Sequence, residues 1–301
     1  MQLETGAVTI DRVACILQRT FCEECYRMRN YHTIKTKLIK DVLWATIDNP
    51  PLNLIDERFV ADLIALLDDT EADGGARVVV LRSADPDFFI PHVDVRRIPE
   101  YTAVTATSGG PDDISLGALY RRLSEARPVT IAVLEGRARG AGAELLYACD
   151  MRFASRDRAV IGQIEVGTGL FPGAGAVQQL VRLAGRGQAM QVILGCEDLD
   201  ATEAERIGVV NKALPDQELI PYVERLAERI AAFPEAAVRL AKRRINAAGL
   251  PPKEDVQVDS GFFQILARDS SSADRIGALM QRGMQERSRT ELDFGAALGE
   301  L

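Results

Sequence analysis

The stretch that most constrains this chain runs from Arg127 to Ser155, RPVTIAVLEGRARGAGAELLYACDMRFAS. Pro128 to Leu134 is an almost unbroken apolar, β-branched run, which reads as a strand buried on both faces. Gly136, Gly140, Ala141 and Gly142 then make a turn of small residues that lets backbone amides approach a ligand closely, and Ala143 to Ala148 open a helix. A helix N-terminus above a strand end presents unpaired N–H groups and the positive end of the helix dipole, which suits an oxygen gaining negative charge. Glu144 lies three residues after Ala141, about one helical turn, so a carboxylate sits near the same edge as the amide. Carbonyl α,β-chemistry needs that pairing: one group holds an enolate while the other moves a proton.

With 301 residues, 47% hydrophobic and 27% charged, the chain can bury a large core as one big domain or two smaller ones. A formal charge of −8 argues against a nucleic-acid surface. No apolar run approaches membrane-spanning length and the N-terminus lacks a signal-peptide core, so the expected location is cytoplasmic, with no membrane partner. Five cysteines fit reduced thiols better than a disulfide framework.

Residues 1–33 read as an extension without sustained periodicity, expected to be disordered. Cys22-x-x-Cys25, with Cys15 and His32, has the ligand types of a three-cysteine, one-histidine zinc site, but its spacing is only loosely zinc-like, and no metal is expected. From Ile34 the pattern becomes regular. Ile34 to Asp48 alternates as a hairpin, Asn49-Pro50-Pro51-Leu52-Asn53 stops it, and Asp56 caps a helix ending at Asp73-Gly74-Gly75. Arg77 to Arg82 is a further buried strand, Phe88 to Asp94 an apolar irregular loop, residues 100–113 a mobile surface segment, and Ser115 to Ala126 a helix. After the central helix come strands at Asp150–Ser155 and Ala159–Gln163, then a glycine-rich passage opening a helix over Ala176–Leu183. Helices follow over 188–194, 202–207, 216–232, 234–247, 255–268 and 273–287. A strand–strand–helix unit recurring about every fifty residues suggests a coil of similar layers rather than a doubly wound sheet.

Several motifs have weaker readings. Gly173-Ala174-Gly175 lacks the third glycine and preceding strand of a dinucleotide fingerprint, and no P-loop pattern exists. Two histidines, His32 and His92, leave little room for a histidine triad or multi-histidine metal site. Arg137 and Arg139 could meet ligand phosphates or be solvated, and Lys242-Arg243-Arg244 could meet a neighbouring subunit's nucleotide or form a basic face. Phe262, Phe263, Ile265 and Leu266 suit a core, a subunit interface or a lid, while Cys149 and Cys196 suit the core.

The ordered motifs NPP-x-N (49–53), FIPHVD (89–94), RPVTIAVLEGRARGAGAELLYACD (127–150), QIE (163–165) and GLFPGAGA (169–176) resemble those of the enoyl-CoA hydratase/isomerase, or crotonase, superfamily, over about residues 34 to 290. The resemblance implies an α/β fold: a crotonase-like spiral of ββα turns over residues 34–214 and a C-terminal helical oligomerisation region over 215–301, forming a homotrimer or hexamer. It implies coenzyme A thioesters as substrates and no separate cofactor. By motif position the oxyanion-binding amides fall on Val93 and Ala141, and the hydratase pair of carboxylates on Glu144 and Glu165, with Glu144 activating water and Glu165 protonating the α-carbon. Without the motif match, Glu144 would read as a helix N-terminal acid and Glu165 as a loop charge. His92, Pro91, Gly140, Gly142 and Gly173 are the candidate substrate contacts. The family's small-residue loop reads Ile90-Pro91-His92-Val93-Asp94 here, which implies a different loop path or a reshaped acyl pocket. Hydration of a 2-enoyl-CoA is the implied activity; isomerisation, retro-aldol cleavage, decarboxylation, hydrolysis or a non-catalytic scaffold role are the alternatives.

Overall fold

The computed structural model describes residues 29–71, 75–107 and 115–301. The chain divides into two compact units, Met1–Asn30 and Tyr31–Leu301, and the second carries every feature below. Cys15, Cys22 and Cys25, and with them the zinc reading and most of the expected extension, lie outside the described residues. Thr33, assigned to that extension, is built into the second unit: its N–H and hydroxyl both donate to Asp62, at 2.6 and 2.7 Å.

Two sheets run through the unit. The larger has the order β1 (Ile34–Ile39), β2 (Val42–Ile47), β3 (Val78–Ser83), β5 (Val129–Leu134), β7 (Met151–Ser155) and β10 (Lys212–Leu214). The smaller has β4 (Phe88–Ile90), β6 (Arg137–Arg139), β8 (Val160–Gly162) and β9 (Leu199–Asp200). β1 and β2 form the expected antiparallel hairpin, turned by Lys40 and Asp41 at positive φ. From β2 onward the large sheet is parallel. Each of the pairs β3/β4, β5/β6 and β7/β8 gives one strand to each sheet before helices return the chain, so the molecule winds as a spiral of ββα turns. The turns are less uniform than a fifty-residue period, because the returning helix ranges from 8 residues (Ala141–Ala148) to 20 (Ala176–Gly195). The longer one joins the two helices expected around residues 176–183 and 188–194 across a kink at Gly185, φ +81°.

β5 is buried at every position, as a central parallel strand must be. On one face of the large sheet Val78, Val80, Val129, Ile131, Val133 and Phe153 pack on Leu219, Val223 and Ala227 of helix Asp216–Ala231. Asp56 caps helix Glu57–Glu71 through the Phe59 N–H (2.8 Å), and Ser115 caps Leu116–Glu125 through the Ala118 N–H (3.1 Å).

Three local readings change. Residues 100–105, expected as part of a mobile surface segment, belong to helix Ile98–Thr105, whose Tyr101 is buried. Lys242 is not part of a solvated basic face: it is buried, pairs with Asp150 at 2.7 Å and donates to the Pro128 carbonyl at 2.7 Å. Arg139 is fully buried and neither solvated nor available to a phosphate. Its guanidinium is shared between Asp198 (2.7 Å) and the carbonyls of Glu291 and Leu292 (both 2.9 Å). Cys149 and Cys196 are buried free thiols.

Candidate active site

A cavity of about 680 Å³, open to solvent, lies over the N-terminus of helix Ala141–Ala148. The N-cap Gly140 takes φ +51° and donates its N–H to Gly162 O at 3.0 Å, which ties the turn to β8. A Cβ at Gly140 would sit 2.7 Å from Glu165 Oε1, and one at Gly142 would sit 2.2 Å from the carbonyl oxygen of Ile90. Both glycines therefore let the turn press against the end of β4 and against a carboxylate. Tyr120 donates its hydroxyl to the Ala141 carbonyl at 3.0 Å and Ser124 to that of Ala148 at 2.7 Å, so the helix is held at both ends. Ala141 is the first helical residue, and its N–H has no partner within the helix.

The second amide comes from Val93. Asn53, its side chain donating to Ser83 Oγ at 2.8 Å while its Oδ1 accepts the Asn49 N–H at 2.7 Å, fixes the loop after β2. That loop delivers Ile55, which bridges Val93: Ile55 N–H donates to His92 O (3.1 Å) and Asp94 N–H to Ile55 O (2.9 Å). The His92–Val93 peptide thus has its carbonyl engaged, which strengthens its own N–H as a donor. Among the described residues that N–H has no acceptor. No residue from Ile90 to Asp94 takes a positive φ, so the larger side chains of this loop are accommodated without backbone strain.

Both carboxylates are buried. Glu144 Oε1 accepts the Ala174 and Ala176 N–H groups, each at 2.9 Å, at the start of helix Ala176–Gly195. Glu165 Oε2 accepts from Gln163 Nε2 at 2.8 Å, and its carbonyl is fixed by the Thr168 hydroxyl at 2.8 Å and the Leu170 N–H at 2.7 Å. Loss of hydration, and then the charge of Glu165, push Glu144 up despite its two amide donors; desolvation pushes Glu165 up to about 7. Ionising either buried carboxyl opposes ionising the other. Of the two, Glu144 is the one whose ionised form two backbone amides hold.

His92, Val93, Ala141, Glu144, Glu165 and Gly173 all line the cavity; Pro91, Gly140 and Gly142 do not, and shape it from behind. His92 has both ring nitrogens taken up by protein groups, Nδ1 by the Val93 carbonyl (2.7 Å) and Nε2 by Glu291 (3.0 Å). It therefore has no nitrogen left for a substrate hydrogen bond. A Cβ on Gly173 would meet Phe263 Cβ at 2.5 Å.

The enoyl-CoA hydratase/isomerase family model matches residues 39–275. The chain belongs to the enoyl-CoA hydratase/isomerase family. It is 34% identical over 202 residues to a short-chain-enoyl-CoA hydratase of Clostridium acetobutylicum, covering 67% of this chain and 76% of that protein. With a crotonyl-CoA hydratase of Syntrophomonas wolfei it shares 36% over 189 residues, 62% of this chain and 69% of that one. The crystal structure of a putative enoyl-CoA hydratase from Streptomyces avermitilis superposes with a TM-score of 0.90 at 51% identity, over 91% of this chain and 99% of the other. The spiral described above is thus the crotonase fold.

Within that fold, the family motifs pointed to loop and helix-start residues but not to the roof of the cavity. Phe263 lines it from helix Lys253–Leu266, and Ser260 of the same helix donates to Gly173 O at 2.6 Å. Ser272 reaches Gly169 O (2.6 Å) and Arg275 reaches Gly167 O (2.7 Å), so two C-terminal helices clamp the glycine-rich passage. Tyr101, Ile276 and Met284 also line it. Phe263 stands out in the sequence as core, interface or lid; nothing local marks the others, since each is brought in by long-range packing.

Proposed function

We propose that the enzyme adds water across the double bond of a 2-enoyl-CoA. The observation that carries this reading is the buried pair Glu144 and Glu165 in the same cavity as the free amides of Val93 and Ala141. The two amides polarise the thioester carbonyl. The Glu144 carboxylate takes a proton from water as the oxygen attacks the β-carbon, and the π electrons move to the thioester oxygen as an enolate. Glu165 then gives its proton to the α-carbon, the enolate collapses, and the product is a 3-hydroxyacyl-CoA. The cycle leaves Glu144 protonated and Glu165 ionised, and one proton exchange with solvent restores the pair. No protein-bound cofactor enters these steps. Hydrolysis, decarboxylation and isomerisation use one carboxylate or none in this way, so the retention of both supports hydration.

Assembly into a homotrimer or hexamer and a cytoplasmic location belong to the same proposal. Phe233, Leu240 and Ile245, 43%, 58% and 70% exposed along the C-terminal helical region, support the first; the buried free thiols suit the second. No helix among the described residues is long and apolar enough to cross a membrane.

The test is the loss of conjugated-thioester absorbance on a panel of 2-enoyl-CoAs, with Glu144→Gln as control. Turnover by the parent, reduced by orders of magnitude in the variant while acyl-CoA still binds, is the expected result. Acyl-CoA binding without turnover of any panel member by the parent would overturn it.

A further inference from the structure

Tyr101 is a polar group of the acyl cavity that the hydration steps leave unused. It sits on helix Ile98–Thr105, is 3% exposed, and lines the cavity with Glu144 and Glu165. Its hydroxyl has no hydrogen-bond partner among the described residues. Burial, followed by the nearby Glu144 and Glu165 charges, raises the phenol far above its ordinary range, so it is neutral and keeps its proton as a donor. The groups assigned to the hydration steps are already committed. Glu144 holds two backbone amides, Glu165 holds Gln163, and the thioester oxygen belongs to Val93 and Ala141. The rest of the wall is largely apolar, with Leu116, Ile164, Leu170 and Phe263, although Thr102 and Gln264 also line it.

The Tyr101 hydroxyl is already out of contact with solvent and without an acceptor among the described residues, and a saturated hydrocarbon tail would leave it so, an arrangement that folded proteins avoid. A tail carrying an oxygen at that depth would satisfy it. Resting on the hydratase reading, and going one step past it, we propose that Tyr101 is a specificity residue selecting 2-enoyl-CoAs whose acyl chain bears a neutral oxygen acceptor (keto, ether or hydroxyl) beyond the β-carbon. Charge decides against an acidic tail, because a third carboxylate beside Glu144 and Glu165 would be repelled in a water-poor site.

The experiment compares isosteric substrate pairs, such as 2-hexenoyl-CoA with its 5-oxo analogue and 2-heptenoyl-CoA with a 5-oxa analogue, in the parent and in Tyr101→Phe. The parent is expected to show a kcat/KM about tenfold or more higher for the oxygenated member of each pair, the scale set by leaving a buried donor unpaired. Tyr101→Phe should bring the ratio to within about twofold by lowering kcat/KM of the oxygenated member. A parent ratio near one overturns the proposal, and so does a variant in which both members fall together, which would assign Tyr101 to the attacking water instead. If Tyr101→Phe fails to fold, the parent ratio decides. Should the parent turn over no enoyl-CoA at all, the hydratase reading fails on its own. The selectivity is then read from calorimetric Kd values for the saturated oxygenated and alkyl acyl-CoAs, with the same expected and overturning ratios.

Discussion

His92 and Glu291, 199 positions apart, form a buried ion pair directly behind the oxyanion loop, with Nε2 at 3.0 Å from Oε1. The Nδ1 atom faces the Val93 carbonyl at 2.7 Å and must carry a proton to do so. Burial works against a charged ring, but the Glu291 carboxylate outweighs it and holds His92 above its ordinary pKa; in return His92 outweighs the desolvation of Glu291 and keeps that carboxyl low. Glu291 also accepts the Gln285 N–H at 2.7 Å, so the pair joins the C-terminal helices to the loop that bears the Val93 amide.

Glu291→Gln keeps the shape of this link and removes its charge. The Val93 amide should loosen by a fraction of an ångström, and kcat should fall on the order of tenfold to a hundredfold, the scale of a misplaced or lost oxyanion donor. Acyl-CoA Kd should change little, because binding along the rest of the cavity is untouched. Steady-state kinetics with calorimetry separate the two. An unchanged kcat in a folded variant would take the pair out of the catalytic account.

The carboxylate pair fixes the pH dependence. Hydration needs Glu165 protonated and Glu144 ionised, and burial pushes Glu165 up to about 7. Raising the pH through that value removes the acid, while acidification removes the base, so kcat/KM should be bell-shaped with its alkaline limb near neutrality. A carboxylate of ordinary pKa would give only an acid limb below about 5. A profile that stays flat from about pH 6 to 9 would show that Glu165 is not the proton donor.

Glycine positions allow a contrast. An alanine Cβ at Gly142 would lie 2.2 Å from the Ile90 carbonyl oxygen, and backbone cannot move away as a side chain can. Gly142→Ala should cost about 1–3 kcal/mol of stability and lower kcat by about a hundredfold by displacing the Ala141 amide. Gly277, inside helix Ser270–Gln281, has no atom within 4 Å of such a Cβ. Gly277→Ala should therefore raise stability by about 0.5–1 kcal/mol. Thermal unfolding of both variants checks the pair of effects, and equal destabilisation would contradict it.

What could be read from the sequence divides along the range of the forces involved. Val129–Leu134 could be placed because a strand covered on both faces has no polar position to hide, and Asp56 because cap chemistry acts within four residues. Ala141 and Glu144 could be found for the same reason: one helix start places both. Lys242 and Arg139 could not. A run such as Lys242-Arg243-Arg244 looks solvated until Asp150 and the Pro128 carbonyl arrive from the other side of the chain. Tyr101 was hidden by its neighbours, since the Thr, Ser and Gly that follow it predict a surface segment while packing against the cavity supplies the helix. His92 stood out as an odd residue in a small-residue loop, but its partner Glu291 is supplied only by the folded C-terminal helices.

Function at Glu165 has a measurable cost in stability. Its folded pKa of about 7 stands above the 4.5 of an unperturbed glutamate. A carboxyl raised on folding destabilises the native state once the unfolded chain is ionised, so the penalty grows as pH rises above about 4.5 and is complete above about 7. For this shift it amounts to as much as about 3 kcal/mol. Glu165→Gln removes the charge while keeping the size and the hydrogen bond from Gln163. The variant should be inactive yet melt on the order of 5 °C higher than the parent at about pH 8, with the gap closing toward about pH 5, where Glu165 is neutral in the folded parent. Calorimetric melting at the two pH values decides it. An equal gap at both would mean that packing, not the buried charge, separates the variant from the parent.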